Sequence, residues 1–233
     1  MPDVAPRIAE NLRQVQDRID AAAVRAGRRG QDIQLVAVTK YVGPAEIRAI
    51  VAAGCTALGE SRPQQLWERA VELADLPIRW HFIGHLQRNK IRRTLPLAAM
   101  IHSVDSSRLA EALEQTAAEL SLRVPVLLEV NTSGEEAKGG FAADDIEREL
   151  IKLAEFRHLE IRGLMCMAAL NGGLDAARRN FAALRILRDR LRALCPENIR
   201  LDELSMGMSG DYEVAIEEGA TIVRVGSALF EGM

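Results

Sequence analysis

A chain of 233 residues that is 48% hydrophobic and carries a net charge of −3 at pH 7 can bury a sizeable core. Its arginines are balanced by acids along the same helices, which excludes the basic stripe that nucleic acid requires. Charges throughout the first ten residues argue against a secretory leader, and no apolar run is long enough to cross a bilayer, so the expected setting is the cytoplasm. Cys55, Cys166 and Cys195 are odd in number and lack Cys-x-x-Cys spacing, indicating neither a disulfide framework nor a zinc knuckle.

The first predicted element is an amphipathic helix over residues 8–26, closed by Gly27 and Gly30. Short apolar runs then predict strands at 33–38, 56–58, 79–83, 100–104, 124–130, 161–165, 201–205 and 221–225. The intervals carry helical spacing at 44–53, 64–74, 107–120, 143–155, 174–194 and 211–218. Strand-helix alternation implies parallel strands with right-handed crossovers. Eight such units fit a single (β/α)8 TIM-type barrel with an extra N-terminal helix, spanning 1–233 as one domain. No Gly-x-Gly-x-x-Gly follows the first strand, which counts against an open dinucleotide-binding sheet.

The first strand ends on Lys40, one of only four lysines, with Lys90, Lys138 and Lys152. An apolar strand that delivers one amine at its C-terminal end can hold it in a drier site, as a nucleophile toward an aldehyde; a Schiff base is the implied chemistry. The alternative is a strand-end lysine that snorkels to water. In a barrel, chemistry sits on the loops after the strands, and phosphate is commonly held after strands seven and eight. Those loops read Ser205-Met-Gly-Met-Ser209-Gly-Asp211 and Arg224-Val-Gly226-Ser227-Ala228. Backbone N–H groups and serine hydroxyls there form a neutral anion cradle, or, on the alternative reading, simple turns and N-caps. Asp211 would repel a phosphate it faced and is expected to cap the following helix. Arg224 interrupts the last strand on the side of Ile222, where a buried guanidinium needs a partner. It could donate to a pyridine nitrogen, keeping that ring a weak electron sink, or form an ion pair with Glu60 or Glu129.

The segments Leu35-Val-Ala-Val-Thr-Lys40, Trp80-His-Phe-Ile-Gly-His-Leu-Gln-Arg-Asn-Lys90, Asn131-Thr-Ser-Gly-Glu-Glu-Ala-Lys-Gly139 and Ser205-Met-Gly-Met-Ser-Gly-Asp211 through Phe230 resemble the pyridoxal phosphate homeostasis proteins, the YggS/PROSC family. The resemblance runs from the first strand to the C-terminus. It implies a barrel like the N-terminal domain of alanine racemase (fold type III), with pyridoxal 5'-phosphate on Lys40. It further implies Arg224 at the pyridine nitrogen and phosphate contacts from Ser205, Met206, Ser209, Gly226 and Ser227. Two departures stand out: Ser61 replaces an asparagine usual after the second strand, and Glu231 replaces a glycine near the end.

The function implied is intracellular homeostasis of the cofactor with little or no turnover, and pyridoxal phosphate-dependent apoenzymes are the implied recipients. The competing reading is an amino acid racemase or related fold type III enzyme. In the racemases this barrel resembles, a tyrosine from an additional domain acts as second base; Tyr41 and Tyr212 are the only tyrosines here, and Tyr41 is expected to point away from its neighbour Lys40. A barrel with nothing appended is expected to be a monomer. A metal hydrolase is disfavoured, because His81 and His85 flank a strand end rather than a helix, and His102 and His158 are isolated. Asn89, Lys90 and Lys138 fall on loops at the same end as Lys40 and could bind a carboxylate, a partner or resting cofactor, or be simply solvated.

Overall fold

The computed structural model describes residues 4–135, 139–195 and 199–233. The first helix, α1 (Val4–Arg25), buries Ile8, Val15, Ile19, Ala22 and Ala23, a helical-period stripe that seats it against the barrel. It starts a turn earlier than expected because Pro6 is tolerated in a first helical turn. There follow β1 (Gln34–Val38), α2 (Pro44–Ala52), β2 (Ala57–Glu60), α3 (Pro63–Glu72), β3 (Arg79–Phe82), α4 (Ile91–Thr94) and β4 (Ala98–Val104). Next come α5 (Ser107–Glu119), β5 (Val124–Asn131), β6 (Phe141–Ala142), α6 (Ile146–Leu153) and β7 (Leu159–Met165). The chain finishes with α7 (Gly173–Arg192), β8 (Glu203–Ser205), α8 (Tyr212–Glu217) and β9 (Ile222–Val225).

The strands run in the order β4-β3-β2-β1-β9-β8-β7-β5, and β4 also pairs with β5, so eight parallel strands close into a barrel. All eight expected strands are present within a few residues. The two-residue β6, which pairs beside Val130 and Asn131 at the end of β5, and the four-residue α4 are too short to carry a periodic pattern and were not expected. Alternation divides each strand. Val36, Ala57, Met100, Leu127, Met165 and Ile222 pack together inside the barrel. Ala37, Leu58, Phe82, Ile101, Leu128, Leu164, Leu204 and Val223 belong to the larger core beneath the helices. Burial on both faces is why the strands read as continuous apolar runs. Among the described residues no helix is long and apolar enough to cross a membrane.

One polar cluster is built into the outer layer. Arg69 of α3 donates to the Glu60 carboxylate on β2, to the Thr39 carbonyl at 2.8 Å and to the Val42 carbonyl, while the Thr39 hydroxyl also donates to Glu60. Glu60 is fully buried, and burial raises its pKa against the opposing pull of Thr39 and Arg69. The cluster fixes both sides of Lys40, since Thr39 precedes it and Val42 lies two residues beyond. Removing one partner of a buried pair leaves an uncompensated charge, typically at a cost of about 3–5 kcal/mol. Arg69→Met is therefore expected to lower unfolding free energy by about that amount in urea titrations, and the double variant with Glu60→Gln to recover part of the loss.

Candidate functional site

Val36 faces the barrel interior, Val38 follows it on the same side at two-residue spacing, and Lys40 stands two residues beyond the end of β1. Lys40 emerges at the C-terminal mouth, half-buried rather than fully solvated. Its Nζ lies 4.8 Å from the centroid of the Tyr41 ring, and its carbonyl accepts a hydrogen bond from Gln65 Nε2 at 3.4 Å. Tyr41 therefore does not point away as expected: its ring is 82% exposed yet lies against the amine.

On the neighbouring strand, Arg224 is paired in register with Val36 and shares the interior face of Ile222. It is only 5% exposed. Its guanidinium donates to Ser205 Oγ on β8 at 2.5 Å and to the Cys166 carbonyl just past β7 at 3.0 Å. Ser205 Oγ lies 2.8 Å from His102 Nδ1, and His102 Nε2 lies 2.9 Å from His81 Nδ1. A hydrogen-bonded chain thus crosses the barrel from β9 through β8 and β4 to β3. Burial drives the His102 pKa well below its ordinary value, with His81 and Arg224 adding repulsion; burial and then Arg79 lower His81 to about 4. Both rings are neutral near pH 7, and each has one N–H to give. Because Arg224 already donates to Ser205, the serine proton can go to His102 Nδ1. His102 then donates from Nε2, and the His81 proton rests on Nε2, an atom with no protein partner.

The ion pairs weighed as the alternative for Arg224 are not formed. Glu60 lies on the outer face with Arg69, and Glu129, though it feels the charge of Arg224, makes no hydrogen bond to it. Of the five N–H donors of Arg224, two are committed to Ser205 and Cys166, leaving others for a ligand.

The loops after β8 and β9 meet. Ser209 Oγ accepts from the Gly226 N–H at 3.1 Å and the Ala228 N–H at 3.5 Å, so a hydroxyl holds the kind of backbone donors that would cradle an anion. Gly207 permits the turn: its φ is +93°, and a Cβ there would lie 2.6 Å from that of Ala215. Asp211 does not cap α8 with its side chain; its Oδ1 accepts from the Met208 N–H at 2.6 Å and steadies the loop instead. Ser227 is exposed at the rim.

Lys40, Ser209, Arg224, Gly226 and Ser227 are thus gathered on adjacent strands and their loops at one end of the barrel. Ser205 and Met206 stand apart from the cradle. The Ser205 hydroxyl is taken by Arg224 and His102 inside the barrel, while Met206 is fully buried and gives its N–H to the Ile222 carbonyl at 3.1 Å. At Ser61 the chain is pressed by its neighbour loop, since a Cβ on Gly84 would fall 2.1 Å from the Ser61 carbonyl oxygen. His81 and His85 have separate partners, His85 Nδ1 lying 3.0 Å from Asp105 Oδ2, and among the described residues no cluster of three or more metal-binding side chains occurs. Lys90 Nζ lies 5.6 Å from the centroid of the Trp67 ring. Lys138 lies outside the described residues.

His102 and Glu129 were the residues that sequence reasoning undervalued. The available signal was a polar residue at alternate positions of an apolar strand: His102 two after Met100, and Glu129 two after Leu127.

A closed parallel barrel with a lysine at its mouth, a buried arginine on the neighbouring strand and two small-residue loops that meet defines a class, and the family model for the alanine racemase N-terminal domain matches residues 6–233. A pyridoxal phosphate homeostasis protein of Pseudomonas aeruginosa is 42% identical over 96% of this chain and 94% of its own length, and one from Aquifex aeolicus is 39% identical over 95% and 96%. The structure of PipY from Synechococcus elongatus with PLP bound superposes with a TM-score of 0.85 at 37% identity, covering 96% of this chain and 99% of that one. The chain belongs to the family of pyridoxal phosphate homeostasis proteins.

The histidine chain has a consequence for stability. A histidine whose folded pKa is depressed contributes stability that is complete above its unfolded value, near 6.5, and lost as pH falls toward the folded value. With His81 at about 4, this amounts to about 3 kcal/mol lost between pH 6.5 and pH 4. Urea unfolding across that window is expected to show the loss in the natural protein and a flatter profile in His81→Asn.

Proposed function

We propose that this chain binds pyridoxal 5'-phosphate at the barrel mouth, as a Schiff base on Lys40, and serves intracellular homeostasis of that cofactor with little or no turnover. The observation that carries the reading is the donor set: Arg224, buried and permanently protonated with N–H groups to spare, beside a half-buried lysine and a neutral anion cradle. Each part suits one group on the ligand, the lysine an aldehyde, the arginine an unprotonated ring nitrogen and the cradle a phosphate. When bound, the cofactor supplies an aldehyde and a conjugated ring able to withdraw electrons. Lys40 holds the aldehyde and Tyr41 flanks its amine. Arg224 donates to the ring nitrogen and withholds the proton that would make the ring a strong sink, which argues for storage over chemistry. Phosphate contacts fall to Ser209, Gly226 and Ser227. The resemblance also implied phosphate contacts from Ser205 and Met206; the Ser205 hydroxyl is held by Arg224 and His102, and the Met206 N–H by the Ile222 carbonyl.

Residues 1–233 act as one cofactor-binding barrel, a monomer in the cytoplasm, and pyridoxal phosphate-dependent apoenzymes are the recipients. The naming of the relatives as homeostasis proteins supports carriage over turnover. Borohydride reduction followed by peptide mass spectrometry is expected to find pyridoxyl on Lys40, with the visible absorption band lost in Lys40→Ala. Ser209→Ala is expected to weaken pyridoxal phosphate binding by roughly 10-fold in fluorescence titration, about the worth of one hydrogen bond, and to leave binding of phosphate-free pyridoxal nearly unchanged. No modified lysine after adding pyridoxal phosphate would overturn the reading.

A further inference from the structure

Glu129 is a buried carboxyl for which the cofactor reading has no use. It is only 8% exposed, and no described residue hydrogen-bonds its carboxyl group. Burial raises its pKa first and Asp105 adds to the rise, while Arg224 and His85 pull it back. These charges, together with the interior position of Leu127 two residues earlier, put the Glu129 side chain on the inner face of β5, toward Arg224.

Its place in the barrel matters more. From β1 to β5 the sheet runs through β2, β3 and β4 in one direction and through β9, β8 and β7 in the other. The two strands are therefore diametrically opposed. Lys40 follows the end of β1, and Glu129 stands near the end of β5, so a lysine and an unbonded carboxyl lie on opposite sides of the same end of the barrel. Sequence reasoning looked for a second base among the tyrosines and found none. The barrel itself supplies a carboxyl on that side.

We propose that Glu129 is an acid–base residue opposite Lys40, giving the protein a slow activity on α-amino acids: exchange of their Cα proton with solvent. The inference rests on the cofactor reading above. In this reaction the amino group of the amino acid replaces Lys40 Nζ on the aldehyde carbon, and Lys40 is released as a free amine. The Cα–H bond then breaks; Glu129 takes the proton, and the electron pair passes into the conjugated ring. In the reverse step Glu129 returns a proton drawn from solvent, or Lys40 delivers one to the other face of the carbon; Lys40 Nζ then displaces the amino group from the aldehyde carbon, and the amino acid leaves. No oxidant or reductant is consumed. Arg224, which keeps the ring a weak sink, makes the exchange slow.

The test uses the holoprotein with L-alanine in D2O, following the Cα signal by proton NMR. Deuterium is expected to enter Cα, and Glu129→Gln to slow its entry by about 10²-fold or more, with Glu129→Asp restoring part of the rate. The visible band and the pyridoxyl adduct on Lys40 are expected to be unchanged in Glu129→Gln. A readout independent of turnover is carbon NMR of the cofactor-free protein labelled at glutamate carboxyls, where Glu60 and Glu129 are expected to titrate above the ordinary glutamate range and only one of these two signals to vanish in Glu129→Gln. Exchange at the natural rate in Glu129→Gln, no exchange in the natural holoprotein, or no such signal lost in Glu129→Gln would overturn the proposal. Loss of the band and of the Lys40 adduct in the natural protein would instead overturn the cofactor reading.

Discussion

The site is organised around one costly act, the burial of a guanidinium inside a barrel. Arg224 cannot shed its proton, and its charge is nearly removed from water, so the surrounding strands must offer acceptors. They do so without forming an ion pair. The Cys166 carbonyl and the Ser205 hydroxyl take the first two bonds, and Ser205 in turn leans on His102 and His81. Neutral acceptors leave the positive charge largely uncancelled and directed at whatever ligand fills the mouth. A bonded carboxylate would have neutralised it. The two histidines can serve because burial keeps them uncharged; a protonated imidazole in that chain would repel the arginine it supports.

The rest of the molecule keeps this arrangement rigid and confined to one end. The interior apolar layer of Val36, Ala57, Met100, Leu127, Met165 and Ile222 fills the barrel, so that it is a packed core with a mouth and not a channel. On the outer face, the Arg69–Glu60–Thr39 cluster clamps the backbone on both sides of Lys40. Two buried arginines thus hold the site, one from inside the barrel and one from behind it. The second does its work through backbone carbonyls, which a lysine point charge could not fork across in the same way.

Much of this was legible in the residues, because the informative signals were exceptions within apolar strands. Lys40 and Arg224 interrupt period-two runs, and the alternation that places Arg224 beside Ile222 also gives its facing in the barrel. The glycine- and serine-rich segments announced the two loops that Ser209 now joins. What remained illegible needed cross-barrel neighbours. His102 and Ser205 are 103 positions apart in the chain, and only barrel closure brings them together. The resemblance implied a phosphate contact for Ser205, yet at the last position of β8 its hydroxyl is held by Arg224 and His102. The same limit applies to Glu60 and Glu129. Either could have answered Arg224 on composition, and only the face each occupies separates them.

That separation leaves the mouth with opposed tendencies. An arginine at a ring nitrogen, the role proposed for Arg224, suppresses carbanion chemistry and favours holding a cofactor unchanged. A buried, unbonded carboxyl on the side opposite the lysine suits proton transfer, and carboxyls whose pKa is raised by burial gather where chemistry is done. The two need not conflict if the arginine sets the pace. With a weak sink, a competent base still works slowly, and slow exchange costs a carrier little. Asp105, already held by His85, contributes by pushing Glu129 toward its protonated form, the state in which a carboxyl tolerates burial and can give a proton back. Arg224 opposes that push. Burial and Asp105 on one side, Arg224 and His85 on the other, thus decide whether Glu129 stands ready to accept a proton or to donate one.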